Sequence, residues 1–283
     1  MKIATFQNEL GVFSKATKPR IGILLRREIP QIRMILATIA QHKSNIFLDI
    51  GANVGIYSSV IQKFSNIEEV HAFEASPASF KEMRTNFDLQ GFSEIRAHEI
   101  ALTNFDGEVK FSDLEALSGV NAIVESDNVG GEIPTVTVPA AKIDSIFQMN
   151  GQRIAIKLDV EGHEVQVLEG ARQLLEANDC VLQVEILTKQ NDLECTDFLA
   201  GRGYERALHI YNDHYFIRKG NEALRETMRD EAFVAFDSLM HMYLDLSRVS
   251  GKVSSDVKKF LTRHPEHAQH FPTRKMPERP ILK

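Results

Sequence analysis

Ile46-Phe-Leu-Asp-Ile-Gly-Ala-Asn-Val-Gly-Ile-Tyr-Ser-Ser-Val60 is the stretch whose reading decides the fold. Ile46, Phe47, Leu48 and Ile50 suit a strand buried on both faces, as parallel sheets require, and Val54, Tyr57, Ser58 and Ile61 return at helical spacing. Between them Gly51 and Gly55 bracket a tight loop. A residue without Cβ permits positive φ and lets a ligand approach the backbone, and the N–H groups that open a helix favour an anionic group. The stretch reads as strand, cofactor loop, helix.

What the loop lacks narrows the cofactor. A dinucleotide fingerprint needs glycine where Asn53 and Ile56 stand, and a P-loop needs a Lys-Ser/Thr pair after its last glycine. Asp49 closes the strand instead, with a charge that repels a pyrophosphate but suits the ammonium of a ligand carrying an amino acid. S-adenosylmethionine has that ammonium and no phosphate. Further on, Glu69-Val-His-Ala-Phe-Glu74 is a second buried strand, and Glu74 ends it about where α/β nucleoside sites place the carboxylate that binds the ribose hydroxyls.

With 283 residues, 43% of them hydrophobic and 25% charged, the chain has the composition of one large globular domain, alone or with an appendage. A net charge of −6 supplies no field for nucleic acid, and no nucleic-acid partner is expected. Cys180 and Cys195 fall in a strand and a helix by pattern and read as free core thiols. Lys15, Lys18, Arg20, Arg26, Arg27 and Glu28 interrupt the N-terminal segment, which offers no apolar run of transmembrane length. No secretory signal is read, and cytoplasmic residence is the expectation.

Along the chain, Pro30 suits the first turn of a helix through Ile32 and Ala40, and Ser76-Pro77 opens another that runs to about Gln90. Glu94 to Leu102 reads as a third strand. Residues 108–112 and 135–139 alternate like half-exposed strands, an antiparallel extension around a polar loop with Ser118-Gly119, Asn128 and Gly130-Gly131. Arg153 to Asp159 is a fourth strand, again closed by an acid, and a helix follows it through Leu175. Cys180 to Leu187 is a fifth. Glu185 interrupts its apolar run, so it should face the site or meet a partner. A helix from about Leu193 to Ala200 and strands near Tyr204–Ile210 and His214–Lys219 complete the sheet. In open α/β sheets ligands lie beyond the carboxyl ends of the strands, where these acids gather. The expected organisation is a helical extension over 1–44, the core domain over 45–220, and a helical appendage with a basic, proline-rich tail over 221–283.

Asp49-Ile-Gly-Ala-Asn-Val-Gly55, Ala72-Phe-Glu-Ala-Ser-Pro77 and Lys157-Leu-Asp-Val-Glu-Gly-His-Glu164, in that order and spacing, resemble the FkbM-type methyltransferases over roughly residues 45–187. The resemblance implies an α/β fold: a doubly wound, mostly parallel seven-stranded sheet of the class I methyltransferase (Rossmann-like) type with a reversed final strand. The helical N- and C-terminal extensions lie outside it. It implies S-adenosyl-L-methionine as cofactor and O-methylation, commonly of sugar or natural-product hydroxyls, so the expected partner is a small-molecule or glycan acceptor. By that similarity Asp49, Gly51, Asn53 and Gly55 hold the methionine part, Glu74 the ribose, Ala101 and Leu102 lie near adenine, and Asp159 faces the transferable methyl. Where the family commonly has Glu-Pro, this chain has Glu74-Ala75-Ser76-Pro77, which leaves the carboxylate in place.

Such a transfer needs alignment and a group that takes the hydroxyl proton, for which Asp159 and His163 are the candidates. Glu161 and Glu164 read as acids favouring a helix amino terminus. Asp159, His163 and Glu185 also form a conceivable ligand set for a divalent ion, but strand-end acids serve cofactor and substrate directly, and the reading adopted is no metal. Two other functions stay open: a nicotinamide-dependent oxidoreductase, opposed by the missing glycines, and a non-catalytic protein that kept the cofactor fold. For the C-terminal helical segment, packing on the domain, covering the acceptor site and forming a homodimer are the alternatives.

Overall fold

The computed structural model describes residues 5–8, 10–21, 28–112, 122–123 and 134–233. The polar loop with Ser118-Gly119, Asn128 and Gly130-Gly131, and the appendage and tail beyond Phe233, lie outside the described residues. The elements are β1 (Thr5–Gln7), β2 (Val12–Ser14), α1 (Ile29–His42), β3 (Ile46–Ile50), α2 (Ile56–Phe64), β4 (Glu69–Glu74), α3 (Pro77–Gln90), β5 (Arg96–Glu99) and β6 (Ala101–Leu102). There follow β7 (Gly107–Ser112), β8 (Thr135–Ala141), α4 (Ile143–Ile146), β9 (Arg153–Leu158), α5 (Glu164–Gly170), α6 (Arg172–Ala177), β10 (Asp179–Glu185), α7 (Lys189–Ala200), β11 (Tyr204–Ile210) and β12 (Asp213–Arg218).

Seven strands form the main sheet in the order β11-β12-β10-β9-β3-β4-β5. From β10 to β5 neighbours are parallel, and β12 is antiparallel to both β10 and β11. The chain winds outward from β3 to β5 and then restarts at β9 on the other side of β3, so the two directions of winding part between β3 and β9. The parallel strands bring their C-terminal ends to one edge, and reversed β12 brings its beginning there. A two-residue turn, Tyr211-Asn212, joins β11 to β12 at that edge, and the Ile186 amide donates to the Asn212 carbonyl at 2.8 Å.

Alternation along the central strands supplies both layers of core. Phe47, Ala155, Val181 and Ile217 pack on one face with Ile32, Ile35 and Ile39 of α1 and Val60 and Ile61 of α2. Leu48, Ile50, Ile156, Leu158 and Leu182 pack on the other with Leu168, Leu174 and Leu175. Helix α1 is therefore core, with Pro30 in its first turn and Lys43 in the left-handed conformation at its end. Leu224 and Met228 of a helix opening at Glu222 join the same layer, and the described chain through Ala232 is one compact unit.

Four expectations need adjustment. The 1–44 extension is not helical throughout, since β1 and β2 pair as an antiparallel hairpin ahead of α1. The stretch 94–102 is two strands: after Glu99 the Ile100 amide donates to the Glu74 carbonyl at 3.1 Å, and Ala101-Leu102 leave for a separate sheet of order β6-β8-β7. The helix after Asp159 breaks at Ala171 into α5 and α6. Helix α7 opens at Lys189, ahead of Leu193, because the Thr188 hydroxyl accepts the Asn191 amide at 3.2 Å and caps it. The antiparallel pairing of β7 with β8 is as expected, and Cys180 and Cys195 are buried free thiols. Among the described residues no helix is long and apolar enough to cross a membrane.

Candidate active site

Beyond β3 the chain turns through three left-handed residues, Gly51 (φ 76°), Asn53 (φ 52°) and Gly55 (φ 78°). The amides of Gly51 and Ala52 donate to the Phe73 carbonyl at 3.0 and 2.9 Å, which ties the loop to β4 and removes these two donors from ligand binding. A Cβ at Gly51 would lie 1.8 Å from the Asp159 carbonyl oxygen, and one at Gly55 would press on Phe87 at 2.6 Å and Met83 at 2.8 Å. Glycine is required at both positions because the chain packs on itself there.

Asp49 is fully buried, and its Oδ2 accepts both the amide and the hydroxyl of Ser58, at 3.0 and 2.6 Å, holding the start of α2. Its Oδ1 has no hydrogen-bond partner among the described residues. Burial pushes its carboxyl above the usual range against the pull of the Lys157 ammonium.

Glu74 ends β4 with both oxygens engaged: Oε2 accepts the Asn53 amide at 2.7 Å and Oε1 the Ser76 amide at 2.8 Å. Burial nevertheless pushes this carboxyl up to about 7. It lines a cleft of about 440 Å³ of empty volume, part of it open solvent, whose other walls are Ile50, Gly51, Phe73, Ala75, Ile100, Ala101, Leu102, Phe111, Ile123 and Val160. An apolar lining with a single carboxylate suits a small-molecule pocket. Of the residues assigned to the cofactor from sequence, Gly51, Glu74, Ala101 and Leu102 meet here; Asp49, Asn53, Gly55 and Asp159 are not among the walls. Phe111 and Ile123, paired across the small sheet, complete a wall that the sequence does not reveal.

A second polar group lies on the face of the sheet covered by α1 and α2. Register places Tyr215, Gln183, Lys157 and Asp49 side by side on four adjacent strands. One turn of the pleat further, Asp213 stands opposite Glu185, beside Asp159. Lys157 Nζ donates to Asp159 Oδ2 at 2.9 Å and sits 4.8 Å from the centre of the Tyr57 ring. Gln183 donates to Asp213 at 2.7 Å. Carboxylate oxygens of Asp159, Glu161 and Glu185 all lie within 4.8 Å of one another.

Electrostatics separates these three acids. Burial, the Asp159 charge and the contact with Asp159 push the Glu185 carboxyl up to about 9. Burial also acts on Asp159, but the Lys157 ammonium and the bonds from Glu185 and Lys157 outweigh it and hold this carboxyl below the usual range. Burial, then Asp159 and Glu164, push Glu161 up to about 7. The spacing would admit a divalent cation, and the Lys157 ammonium supplies counter-charge to Asp159.

His163 does not join this group. It is buried, and its Nε2 is hydrogen-bonded to the Thr103 hydroxyl at 2.9 Å, fastening the start of α5 to the end of β6. Glu164 also braces the backbone, since its carboxylate accepts the Gly162 amide at 2.9 Å, the Val160 amide at 3.4 Å and the Asn191 side-chain amide at 2.8 Å. Glu161, which reads from sequence as a helix-end acid, belongs to the cluster. Strand alternation gives no signal for it, because β9 ends at Leu158 and Glu161 stands in a turn with φ 53°.

The family model of the methyltransferase FkbM domain matches residues 49–231. Hexuronic acid methyltransferase AglP of Haloferax volcanii is 25% identical over 177 residues, which are 62% of this chain and 69% of that protein. Methyltransferase 1 of Beauveria bassiana is 23% identical over 145 residues, 44% of this chain and 58% of that protein. The crystal structure of methyltransferase FkbM from Methylobacillus flagellatus aligns with a TM-score of 0.44 at 20% identity, covering 62% of this chain and 43% of that one. This chain thus spans under half of the crystallised protein and part of each of the two relatives. The matched region begins at the acid that closes β3 and runs past β12, well over half of the sequence, and the chain belongs to the FkbM methyltransferase family.

Proposed function

We propose that the protein is an S-adenosyl-L-methionine-dependent methyltransferase acting on a hydroxyl oxygen of a sugar, glycan or related small molecule. The observation that carries this reading is Glu74, a carboxylate fixed by two backbone amides at a strand end, beside an apolar cleft. Such a group accepts the two hydroxyls of a ribose, and Ala101, Leu102, Phe111 and Ile123 offer walls for a base. The orphaned, fully buried Oδ1 of Asp49 fits the ammonium of the methionine part, a pairing that offsets the cost of its burial. The mostly parallel seven-stranded sheet with its antiparallel β12 supports this reading, since ligands of open α/β sheets bind where the winding changes direction, here between β3 and β9. The activity on a hexuronic acid named for the Haloferax relative supports a sugar as acceptor.

The cofactor supplies a methyl group already activated by positive sulfur, which leaves the chain to align the acceptor, exclude water and receive one proton. Asp159, kept ionised by Lys157 and Glu185, accepts a hydrogen bond from the acceptor hydroxyl and orients it. His163 and Glu164 fix the backbone on which Asp159 and Glu161 stand.

Calorimetric titration with S-adenosylmethionine, its demethylated product and NAD tests the reading, followed by transfer of a labelled methyl to a panel of sugars, uronates and natural-product alcohols read by mass. Binding of the first two ligands and a labelled ether product are expected. Binding of NAD alone would replace the reading by an oxidoreductase, and cofactor binding with no transfer to any acceptor would favour the non-catalytic alternative.

A further inference from the structure

We propose that Glu161, rather than Asp159 or His163, takes the proton of the acceptor hydroxyl, and that Asp159 and Glu185 are the pair that keeps it competent to do so. The inference rests on the methyltransferase reading above.

The backbone is the first ground. Glu161 has φ 53°, a left-handed conformation that side chains other than glycine, asparagine and aspartate rarely adopt, and strain of this kind concentrates at functional sites. It is held from both sides, because Glu164 accepts the amides of Val160 and Gly162. The second ground is what the carboxylate meets. Asp159 has Lys157 and Glu185, Glu185 has Asp159, and Glu164 has three donors. Glu161 is half-buried, lies within 4.8 Å of the Asp159 and Glu185 carboxylates, and has no hydrogen bond or ion pair among the described residues. A carboxylate in this state has lone pairs free for an incoming O–H.

The charged groups facing it set its proton affinity. Lys157 and Asp159 come from β9 and its end, Glu185 from β10, Glu164 from α5, and Arg20 from the N-terminal segment. Burial and the acids prevail over the two cations and push Glu161 up to about 7. A general base is most effective with its pKa near the working pH, whereas Asp159 is held low and is correspondingly weak. In the transfer, the acceptor O–H bond breaks toward Glu161 as the oxygen lone pair forms the new bond to the methyl carbon. The methyl–sulfur bonding pair stays on sulfur, which leaves as a neutral thioether. Glu161 is left as a carboxylic acid and returns its proton to water, to which it is partly exposed.

The test combines Glu161→Gln and Asp159→Asn with three readouts: the pH profile of kcat/KM, cofactor affinity by calorimetry, and carbon-13 NMR titration of side-chain carboxyls in the ligand-free protein. Glu161→Gln should lower kcat by roughly 10²–10⁴-fold while cofactor affinity holds, and it should remove one carboxyl resonance that titrates near 7 in the wild type. The wild-type profile should fall below pH 7, and Asp159→Asn, which removes a negative neighbour, should move that limb to lower pH. A residue that only shapes the loop would leave the limb in place. Retained kcat in Glu161→Gln, or no carboxyl titrating near 7, overturns the inference alone. Loss of wild-type turnover on chelation also overturns it, by giving the three carboxylates to a cation. A wild type that binds no S-adenosylmethionine overturns the underlying reading instead.

Discussion

Gly51 and Asp159 meet backbone to backbone: the space where a Gly51 side chain would begin is filled by the Asp159 carbonyl oxygen, 1.8 Å away. The Asp159 amide in turn donates to the Ile50 carbonyl at 3.0 Å, so the loops after β3 and β9 are one joint. Gly51→Ala should destabilise the protein by about 2–4 kcal/mol, through left-handed strain and the displacement of Asp159. Denaturant unfolding measures it, and a wild-type midpoint would show that the joint yields freely.

Replacing Glu74 by Ala should weaken S-adenosylmethionine binding by about 1–3 kcal/mol, since two charge-assisted hydrogen bonds to a diol are lost. Calorimetry on the folded variant decides it. Unchanged affinity would remove Glu74 from the cofactor site.

Stability of the ligand-free protein should fall as pH rises from about 6.5 to about 8; below that interval His42, His71, His98 and His214, whose pKa values burial lowers, act in the opposite sense. Glu74 and Glu161 are raised from 4.5 to about 7, Glu185 from 4.5 to about 9 and Asp213 from 3.8 to about 6, each chiefly by burial. The folded state therefore keeps protons that the unfolded chain releases, and the linkage has the sign of stability lost with rising pH. Asp159 is shifted the other way, so its contribution changes only at the acid end. Melting temperature followed across this interval should drop in the wild type and drop less in Glu74→Gln; a rise would contradict the burial of these acids.

Lys157 is buried and holds the Asp159 charge, with Asp49 on the next strand. Lys157→Met should cost about 3–5 kcal/mol, the usual result of leaving a buried charge without its partner. Combined with Asp159→Asn the loss should be smaller than the sum of the single losses, by about 1 kcal/mol or more. Additive losses in the double-mutant cycle would mean that the two groups are independent.

His163→Ala should lower stability by about 1–2 kcal/mol through the bond to Thr103 and leave the pH limb of turnover unmoved. A changed limb would return His163 to the chemistry.

The chain announces the centre of its sheet plainly. Strands buried on both faces carry unbroken apolar runs, and Asp49, Glu74 and Asp159 end those runs abruptly at the edge where ligands bind. The break at Ile100 leaves no such mark, because both halves of 94–102 have β character and only the hydrogen bond to Glu74 separates them. Glu161 is hidden for a related reason: an acid before Gly162, His163 and Glu164 looks like the start of a helix, and only the approach of Glu185 from another strand shows otherwise. At Gly51 the sequence identifies the residue type but not the cause, which is a carbonyl from a distant segment.

The reversed course of β12 has a consequence for engineering. It places a two-residue hairpin tip, rather than a helix-bearing crossover, at the reactive edge, with Tyr211 64% exposed and Asn212 tied to Ile186 next to Glu185. Exposed tips of this kind accept inserted residues without disturbing strand register. Libraries lengthened at Tyr211-Asn212 would therefore grow new wall beside the carboxylate cluster while leaving the cleft lined by Glu74 untouched, a natural port for grafting altered acceptor preference onto this scaffold.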